Sequence, residues 1–457
     1  MEQIPQKQTG KFSHWLRTSI TARMIMIKIL ILILLIPLAF IKELIREREY
    51  RQKDVISEIN SKWGNNVILY GPILKVPYKT YKETSIYNEA NKSYEVQREA
   101  ILNYGYFFPE TLNVNTKVNS REKKRNNFKS VVFTSEFDID GTFTQPNFEI
   151  KKIKKEDILW EQTTLLIKTT NLKGIKSDVK MKINNSNYAF EASFIEKNNY
   201  ANTLDILESS FIKVEDLPIG KDRNFNFKLA YNGSESIEIV PIGKITEAQM
   251  QSNWVDPSFI GNFLPQNDGE KVTENGFKAN WKVLQVNRSF AQQSFNSIPN
   301  ITSYAFGTKF IFPIDEYQKN ERTAKYGFMV IALTFLFFFL IQTLSKIHIH
   351  PFQYLMIGIA LTMFYTLLIA ISEHSSFIKA YIIAGSAVIG LITLYSKSIL
   401  KNFKFPILIG TSLLALYSFI FVIIQMENYA LLVGSIGLFV ILAIVMFISR
   451  KIDWQNG

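Results

Sequence analysis

"MIMIKILILILLIPLAFIKELIREREY", residues 24–50, sets the terms on which the rest of the chain is read. Residues 24–41 are apolar apart from Lys28, long enough to cross the roughly 30 Å hydrocarbon core of a bilayer. Basic residues precede the run (Lys7, Lys11, Arg17, Arg23), as in a signal peptide. No clean small-x-small exit follows. Charged, helix-prone KELIREREY follows instead, so residues 24–45 read as an uncleaved signal anchor, with Pro37 able to kink its far end.

Five more apolar segments lie near 326–344, 351–372, 377–396, 404–424 and 429–449. Each is long enough to span. The part between, 46–323, is polar and mixed. Runs such as SVVFTSEFDIDGTF (130–143), SIEIVPIG (236–243) and FKANWKVLQVNRSF (277–290) alternate with period two and are separated by Gly, Asn and Pro turns. They predict a β-rich, sandwich-like domain, with helix at 44–63 and near 242–250. No linker decides between one lobe and two.

The fold class is therefore a membrane protein, α+β: one N-terminal transmembrane helix, a large β-rich periplasmic domain and a C-terminal bundle of five transmembrane helices. The expected divisions are a cytoplasmic tail, 1–23; the anchor, 24–45; the periplasmic domain, 46–323; the five-helix domain, 324–450; and a cytoplasmic tail, 451–457.

Charge supports that orientation. The net charge is +12. Residues 46–323 hold 38 Lys/Arg and 35 Asp/Glu, a balance of +3, so +9 flanks the apolar segments. With the N-terminus in the cytoplasm, the loops expected inside carry Lys346, then Lys397, Lys401 and Lys404, then Arg450 and Lys451. Those expected outside carry Glu373 and Glu427, with Lys379 the exception. Both termini then lie inside. The basic pI is thus a topology signal, and the short runs REKKR (121–125) and KKIKK (151–155) do not make a nucleic-acid surface.

Catalytic and metal-binding groups are sparse. With no cysteine, disulfides, thiolate zinc sites, Fe–S ligation and a cysteine nucleophile are excluded. The four histidines are His14, His348, His350 and His374, so residues 46–323 hold none, which excludes a Ser-His-Asp arrangement or a histidine-bound metal there. His348 and His350, in SKIHIHP, read as an interfacial turn with Pro351 opening the next helix. His374 falls at the opposite membrane face. Glu136, Asp138 and Asp140 alternate on one strand and read as a solvated face, although paired carboxylates could serve glycan hydrolysis. The last five spans hold no charge near mid-bilayer. Their polar groups, Thr362, Tyr365, Thr366, Ser412, Tyr417 and Ser418, suit interhelical hydrogen bonds, and Ser386 with Gly390 suits close helix packing. No cofactor is expected.

Several stretches carry a resemblance: YGPILKVPY (70–78), GYFFPETLNVNTKVNSREKKR (105–125), DPSFIGNFLP (256–265), DEYQKNERTAKYGFMVIALTFLFFFL (315–340) and KIHIHPFQYLMIGIALTMFYTLLIAISEH (346–374). In this order, through nearly the whole chain, they resemble the CreD family of inner-membrane proteins. Two places depart: an acid is expected near 342, where this chain has Gln342, and a Gly-Ile-Tyr-like run near Asn126–Phe128. The resemblance implies a cell-envelope integrity protein, in enterobacteria tied to the CreBC two-component system and to β-lactam and colicin responses. It transfers no catalytic residue. Gly71, Pro72, Pro109, Glu110, Pro257, Phe259, Lys325, Tyr326, Pro351, Glu373 and His374 carry over only as family-like positions.

The leading functional expectation is a non-enzymatic protein that supports or senses envelope integrity. The alternatives are a transporter or lipid-handling protein, and a carboxylate-based envelope hydrolase. The partners expected are the lipid bilayer and envelope proteins or lipids, without nucleic acid. Arg322 and Lys325 lie just outside a span, against the charge bias, at the face that carries Glu373, so Glu373 is expected to pair with one of them.

Overall fold

A computed structural model describes residues 19–452, apart from 89–91, 126, 171, 194–203, 267–270, 311, 313–315, 346, 401–402 and 427–428. His14, Asn126 and most of both expected tails lie outside the described residues. The chain divides into two compact units, Asp54–Pro313 and Met1–Lys53 with Ile314–Gly457. One helix, α1 (Ile20–Trp63), contributes to both. The expected anchor and the helix expected at 44–63 are thus a single element, continuous through Pro37.

The larger unit holds sixteen strands: β1 (Val67–Asn88), β2 (Ser93–Phe107), β3 (Thr111–Arg125), β4 (Phe128–Phe143), β5 (Thr164–Thr169), β6 (Lys180–Ile183), β7 (Ser186–Ser193), β8 (Asp205–Ser209), β9 (Arg223–Ser234), β10 (Ser236–Ile239), β11 (Ile245–Ser252), β12 (Pro257–Gly261), β13 (Lys271–Thr273), β14 (Gly276–Leu284), β15 (Gln293–Phe295) and β16 (Phe306–Phe310). One layer runs β12-β16-β10-β1-β5-β8-β7, with β2 on β1 and β15 on β2; the other runs β6-β9-β4-β3-β11-β14-β13. The first half of β7 pairs with β6 and its second half with β8, which joins the layers. Pairing is antiparallel except for β1 with β10 and β3 with β11.

Strand pattern explains the core. In β4, Phe133, Ser135, Phe137, Ile139 and Phe143 point inward, while Thr134, Glu136, Asp138 and Asp140 are exposed. The period of two turns alternate side chains to one face. Aromatic pairs then close the layers on each other: Phe133 of β4 lies 5.0 Å from Phe310 of β16, and Trp281 of β14 lies 5.5 Å from Phe306 of β16. The buried apolar residues form one continuous cluster, hence one lobe. The last turns of α1 belong here as well. Trp63 Nε1 donates to the Phe133 carbonyl (3.1 Å), and Asn60 bonds both Ser130 (2.6 Å) and Glu235 (2.6 Å).

One expectation fails. The segment near 242–250 is strand β11, not helix. Its Glu, Ala, Gln and Met favour a helix, but Thr246, Ala248, Met250 and Ser252 alternate inward and β11 is paired on both edges, by β3 and β14. Tertiary pairing overrides local propensity there.

The second unit holds α1 up to Lys53, then α2 (Glu316–Lys325), α3 (Gly327–Ser345), α4 (Pro351–Ser372), α5 (Phe377–Leu400), α6 (Lys404–Gln425) and α7 (Ala430–Ser449). Among the described residues six helices are long and apolar enough to cross a membrane: α1, α4 to α7, and the stretch Tyr317–Ser345. Among the buried residues of α1, Ile27, Leu30, Leu34, Leu38, Ile41 and Ile45 form a stripe at spacings of three and four that packs with α3 to α6 in one core. Small residues let the helices meet. A Cβ on Gly358 of α4 would lie 2.1 Å from Leu34 Cδ1 and 2.9 Å from Phe335 Cζ. Ser386 and Gly390 do not play that part: Ser386 is exposed, and a Cβ on Gly390 would meet nothing within 4 Å. Interhelical hydrogen bonds include Tyr354 donating to Gln342 (2.8 Å) and Tyr381 to the Tyr417 carbonyl (2.8 Å), so of the residues expected there Tyr417 takes part through its main chain. Thr362 bonds its own helix.

Gly358→Val is expected to overpack this contact and cost about 1–3 kcal/mol, read as thermal stability in detergent. Gly390→Ala, with open space above it, should change stability by less than about 0.5 kcal/mol or raise it through helix propensity. Equal losses at both sites would mean that α1 does not seat against α4 in this way.

Candidate functional site

The candidate positions fall into separate groups. Within the helical unit, polar residues gather at one end of the helices. The buried stripe of α1 continues three residues past Ile45 to Arg48, whose guanidinium lies 3.5 Å from the Glu373 carboxylate at the end of α4. The side chains are 37% and 20% exposed. Next to Glu373, Ser372 accepts from Asn320 Nδ2 of α2 (2.8 Å). Asn320 is only 2% exposed, and its Oδ1 has no partner among the described residues. Lys319 sits over the Phe377 ring, 5.7 Å from its centre.

The expected pairing is therefore corrected: Glu373 takes Arg48, while Lys325 lies 3.6 Å from Glu321 on its own helix. A helix aligns residues four apart, so Lys325 has a local partner, and α1 delivers Arg48 on the face that already packs inward. Arg322 and Tyr326 are half-buried, and Tyr326 packs against the helical core. His374 is exposed and belongs to the same end.

Pro351 opens α4. His350 is its N-cap: Nδ1 accepts from the Phe352 N–H (3.2 Å), while Gln353 accepts from the His350 N–H (2.9 Å). This satisfies two otherwise unpaired donors and accounts for one histidine of the KIHIHP turn. Among the described residues no three of His, Asp and Glu gather so as to hold a metal ion.

In the β unit, Gly71 and Pro72 lie in β1 across a cis peptide bond, where a Cβ on Gly71 would come 3.0 Å from Ile167 Cα of β5. Pro257 and Phe259 lie in β12, and the Phe259 ring packs edge-on against Phe277 and Trp281. Pro109 and Glu110 form the turn between β2 and β3. Glu110 pairs with Lys244 (2.6 Å), and the Pro109 carbonyl accepts from Gln292 Nε2 (2.6 Å). Behind them is Arg288, 7% exposed, which no motif in the sequence singles out. It donates to the Ile242 and Gly243 carbonyls (3.2 and 2.9 Å) and to Gln292 Oε1 (2.6 Å), and lies over the Phe290 ring. Burial lowers its pKa to about 10, yet it remains charged at neutral pH. Carbonyls, Gln292 and a ring hold its terminal nitrogens without an acid, while its Nε has no partner among the described residues.

Of the alternating carboxylates, Asp138 lies 3.4 Å from Lys228 and Asp140 accepts from Asn113 (2.8 Å), both on the exposed face. Glu208 of β8 is the more constrained acid. Burial raises its pKa, but Lys75 (2.8 Å), Thr164 (2.7 Å) and Ser193 (3.2 Å) hold it below the ordinary value.

The comparisons settle the family. The pattern described as "Inner membrane protein CreD" matches residues 19–455. The chain belongs to the CreD family. The Inner membrane protein CreD of Escherichia coli (strain K12) is 30% identical to it over 431 residues, 93% of this chain and 91% of that protein. The resemblance read from the sequence blocks is thereby shown. So is the architecture of an N-terminal membrane helix, a large β-rich middle and a C-terminal bundle of five membrane helices. As a member of the CreD family with six apolar helices, the chain is a membrane protein in contact with lipid.

Two measurements test this geometry. A double-mutant cycle of Arg48→Ala with Glu373→Gln in detergent should give a coupling of about 0.2–1 kcal/mol, the range of partly exposed pairs. Lys325→Ala against Glu373→Gln should be additive, and the reverse order of couplings would restore the pairing expected from sequence. The second measurement is pH dependence. The folded Glu208 pKa is depressed, so its contribution is present above the unfolded carboxylate pKa, about 4.3, and lost as pH falls through the folded value. Melting between pH 7 and 3 should show Glu208→Gln losing less stability on acidification than wild type. Identical slopes would mean that Glu208 is not so held.

Proposed function

We propose that this CreD-family chain is a non-enzymatic inner-membrane protein that supports or senses envelope integrity, with both termini in the cytoplasm and residues 46–323 in the periplasm. The observation that carries the reading is how the β unit's buried and catalysis-capable groups are used. Glu208 is bound by Lys75 and two hydroxyls, Arg288 by carbonyls, and Asp216 by Tyr188 (2.6 Å) and Asn184 (2.8 Å). Glu136, Asp138 and Asp140 stand on an exposed strand face. Each of these groups has a structural or solvated role. The loop charges support the orientation, because Lys397, Lys404, Arg450 and Lys451 flank one set of helix ends, and Glu373 and Glu427 the other.

A transporter or lipid-handling role is the second reading. It is favoured by an apolar cavity of about 460 Å³ between α3, α6 and α7.

Reporter fusions at residues 200 and 457 should give periplasmic and cytoplasmic signals respectively. In the native host, loss of the chain should raise entry of an envelope-impermeant dye and sensitivity to β-lactams. The triple variant Glu136→Gln, Asp138→Asn, Asp140→Asn should restore both to wild-type levels. A well-folded triple variant that fails to complement would replace this reading with carboxylate chemistry.

A further inference from the structure

The cavity between α3, α6 and α7 is built from one face of each helix. Thr334 and Phe337 come from α3, Ser412 and Ala415 from α6, and Val440 and Ile444 from α7. The α7 lining continues at Gly437, Ile441 and Ile448, the three-and-four spacing of a single helical stripe. Thr334 and Ser412 are the only hydroxyls on the wall, and no side chain on it is charged. Thr334 is 4% exposed, and its Oγ1 has no partner among the described residues. No residue of α7 is buried. The helix leaves its apolar face towards α3 unfilled by protein.

One end of the cavity is marked by charge. It reaches Ile409 on α6 and Ile448 on α7. Five residues before Ile409 is Lys404, and just beyond Ile448 come Arg450 and Lys451, both exposed. Lys451 follows three residues after Ile448 in the turn that ends α7, and the Arg450 guanidinium lies over the Phe447 ring, 4.7 Å from its centre. The other end, in the middle of the helices at Leu333 and Gly437, has no charge. An apolar slot between membrane helices, with two cations two and three residues past its last lining residue, has the polarity of a single lipid: acyl chain inward, phosphate outward.

We propose that this cavity is a resident site for one anionic glycerophospholipid, with an acyl chain between α3, α6 and α7 and its phosphate against Arg450 and Lys451. The occupant is a lipid of the surrounding bilayer, and it fills the gap that α7 leaves. The site does not depend on the envelope-integrity reading, since a resident lipid serves any function of the bundle.

The test uses the full chain purified in detergent and returned to nanodiscs of palmitoyl-oleoyl phosphatidylglycerol or palmitoyl-oleoyl phosphatidylethanolamine, with retained lipid counted by native mass spectrometry. Wild type should retain phosphatidylglycerol in preference, by roughly fivefold for each basic residue engaged. Ala415→Trp, which fills the slot, should abolish retention. Arg450→Gln with Lys451→Gln should keep an acyl chain but lose the preference. Should the tryptophan variant not fold, Ser412→Cys gives a small probe, unique because the chain has no cysteine of its own. Phosphatidylglycerol should slow its labelling by a hydrophobic maleimide at least several-fold, and phosphatidylethanolamine much less. Undiminished retention in Ala415→Trp, or labelling of Ser412→Cys that ignores lipid, would overturn the site. Equal retention of the two lipids by wild type would overturn its anionic character. A dimer that Ala415→Trp dissociates without change in lipid would give the cavity to a second copy instead.

Discussion

Leu34 lying against Gly358 is the contact on which the helical unit turns. Lipid supplies no hydrophobic drive between helices, so shape complementarity and close backbone approach decide which faces meet. Gly358 has no Cβ, and the space one would fill is occupied by Leu34 and the edge of Phe335. The stripe from Ile27 to Ile45 follows in register above and below that point. This contact is also long-range, because the entire β unit separates α1 from α4 in sequence. Loop-closure entropy makes such contacts late ones. The anchor's apolar face therefore has to be tolerated by lipid until the C-terminal helices arrive, which a run apolar on all sides but for Lys28 achieves and a strongly amphipathic one would not.

The elements legible in the sequence are those whose solvent dictates them. A bilayer leaves helices and closed barrels as the only ways to satisfy the backbone, so the boundaries of α4 and α7 can be read from hydropathy within a residue or so. In water the signal is the alternation of faces, and β4 carries it from Phe133 to Phe143. Misreadings arise where two signals compete. The GKITEAQM segment has helical composition and strand-like alternation, and its pairing with β3 and β14, invisible locally, decides for the strand. The anchor and the charged segment after it read as two elements because composition changes at Lys42, whereas the backbone hydrogen bonds of α1 are indifferent to whether lipid or water surrounds them.

The same break in composition hides the true partner of Glu373. Its place at the end of α4 is legible, and so is its need for a cation at a membrane face. The nearest basic residues in the layout expected from sequence are Arg322 and Lys325. Once α1 is one helix, the row Leu38, Ile41 and Ile45 continues at the same spacing to Arg48 and carries a guanidinium to that end. The signal lies in the sequence as a stripe prolonged by one turn. No comparable signal exists for Arg288. Its partners are main-chain carbonyls at 242 and 243 and a glutamine four residues on, and carbonyls leave no trace in composition.

The two units differ in the apolar surface they leave exposed, and the difference follows from the surrounding medium. In the β unit an unpaired buried charge would cost several kcal/mol, and the terminal nitrogens of Arg288 and the carboxylate of Glu208 are accordingly met by acceptors and donors. Each unit keeps a few buried polar atoms without a described partner, Thr116 and Thr308 in one and Asn320 and Thr334 in the other, but only on α7 do residues such as Leu431 and Phe439 stand 87% and 72% exposed along a helix with no buried residue. In water such an apolar face would mark an interaction surface or an aggregation hazard. Against acyl chains it is the relaxed state, so the absence of burial along α7 fits a helix whose packing partners include lipid. Facing it from α3, the buried hydroxyl of Thr334 lies on the wall of the cavity where α7 and α3 fail to meet.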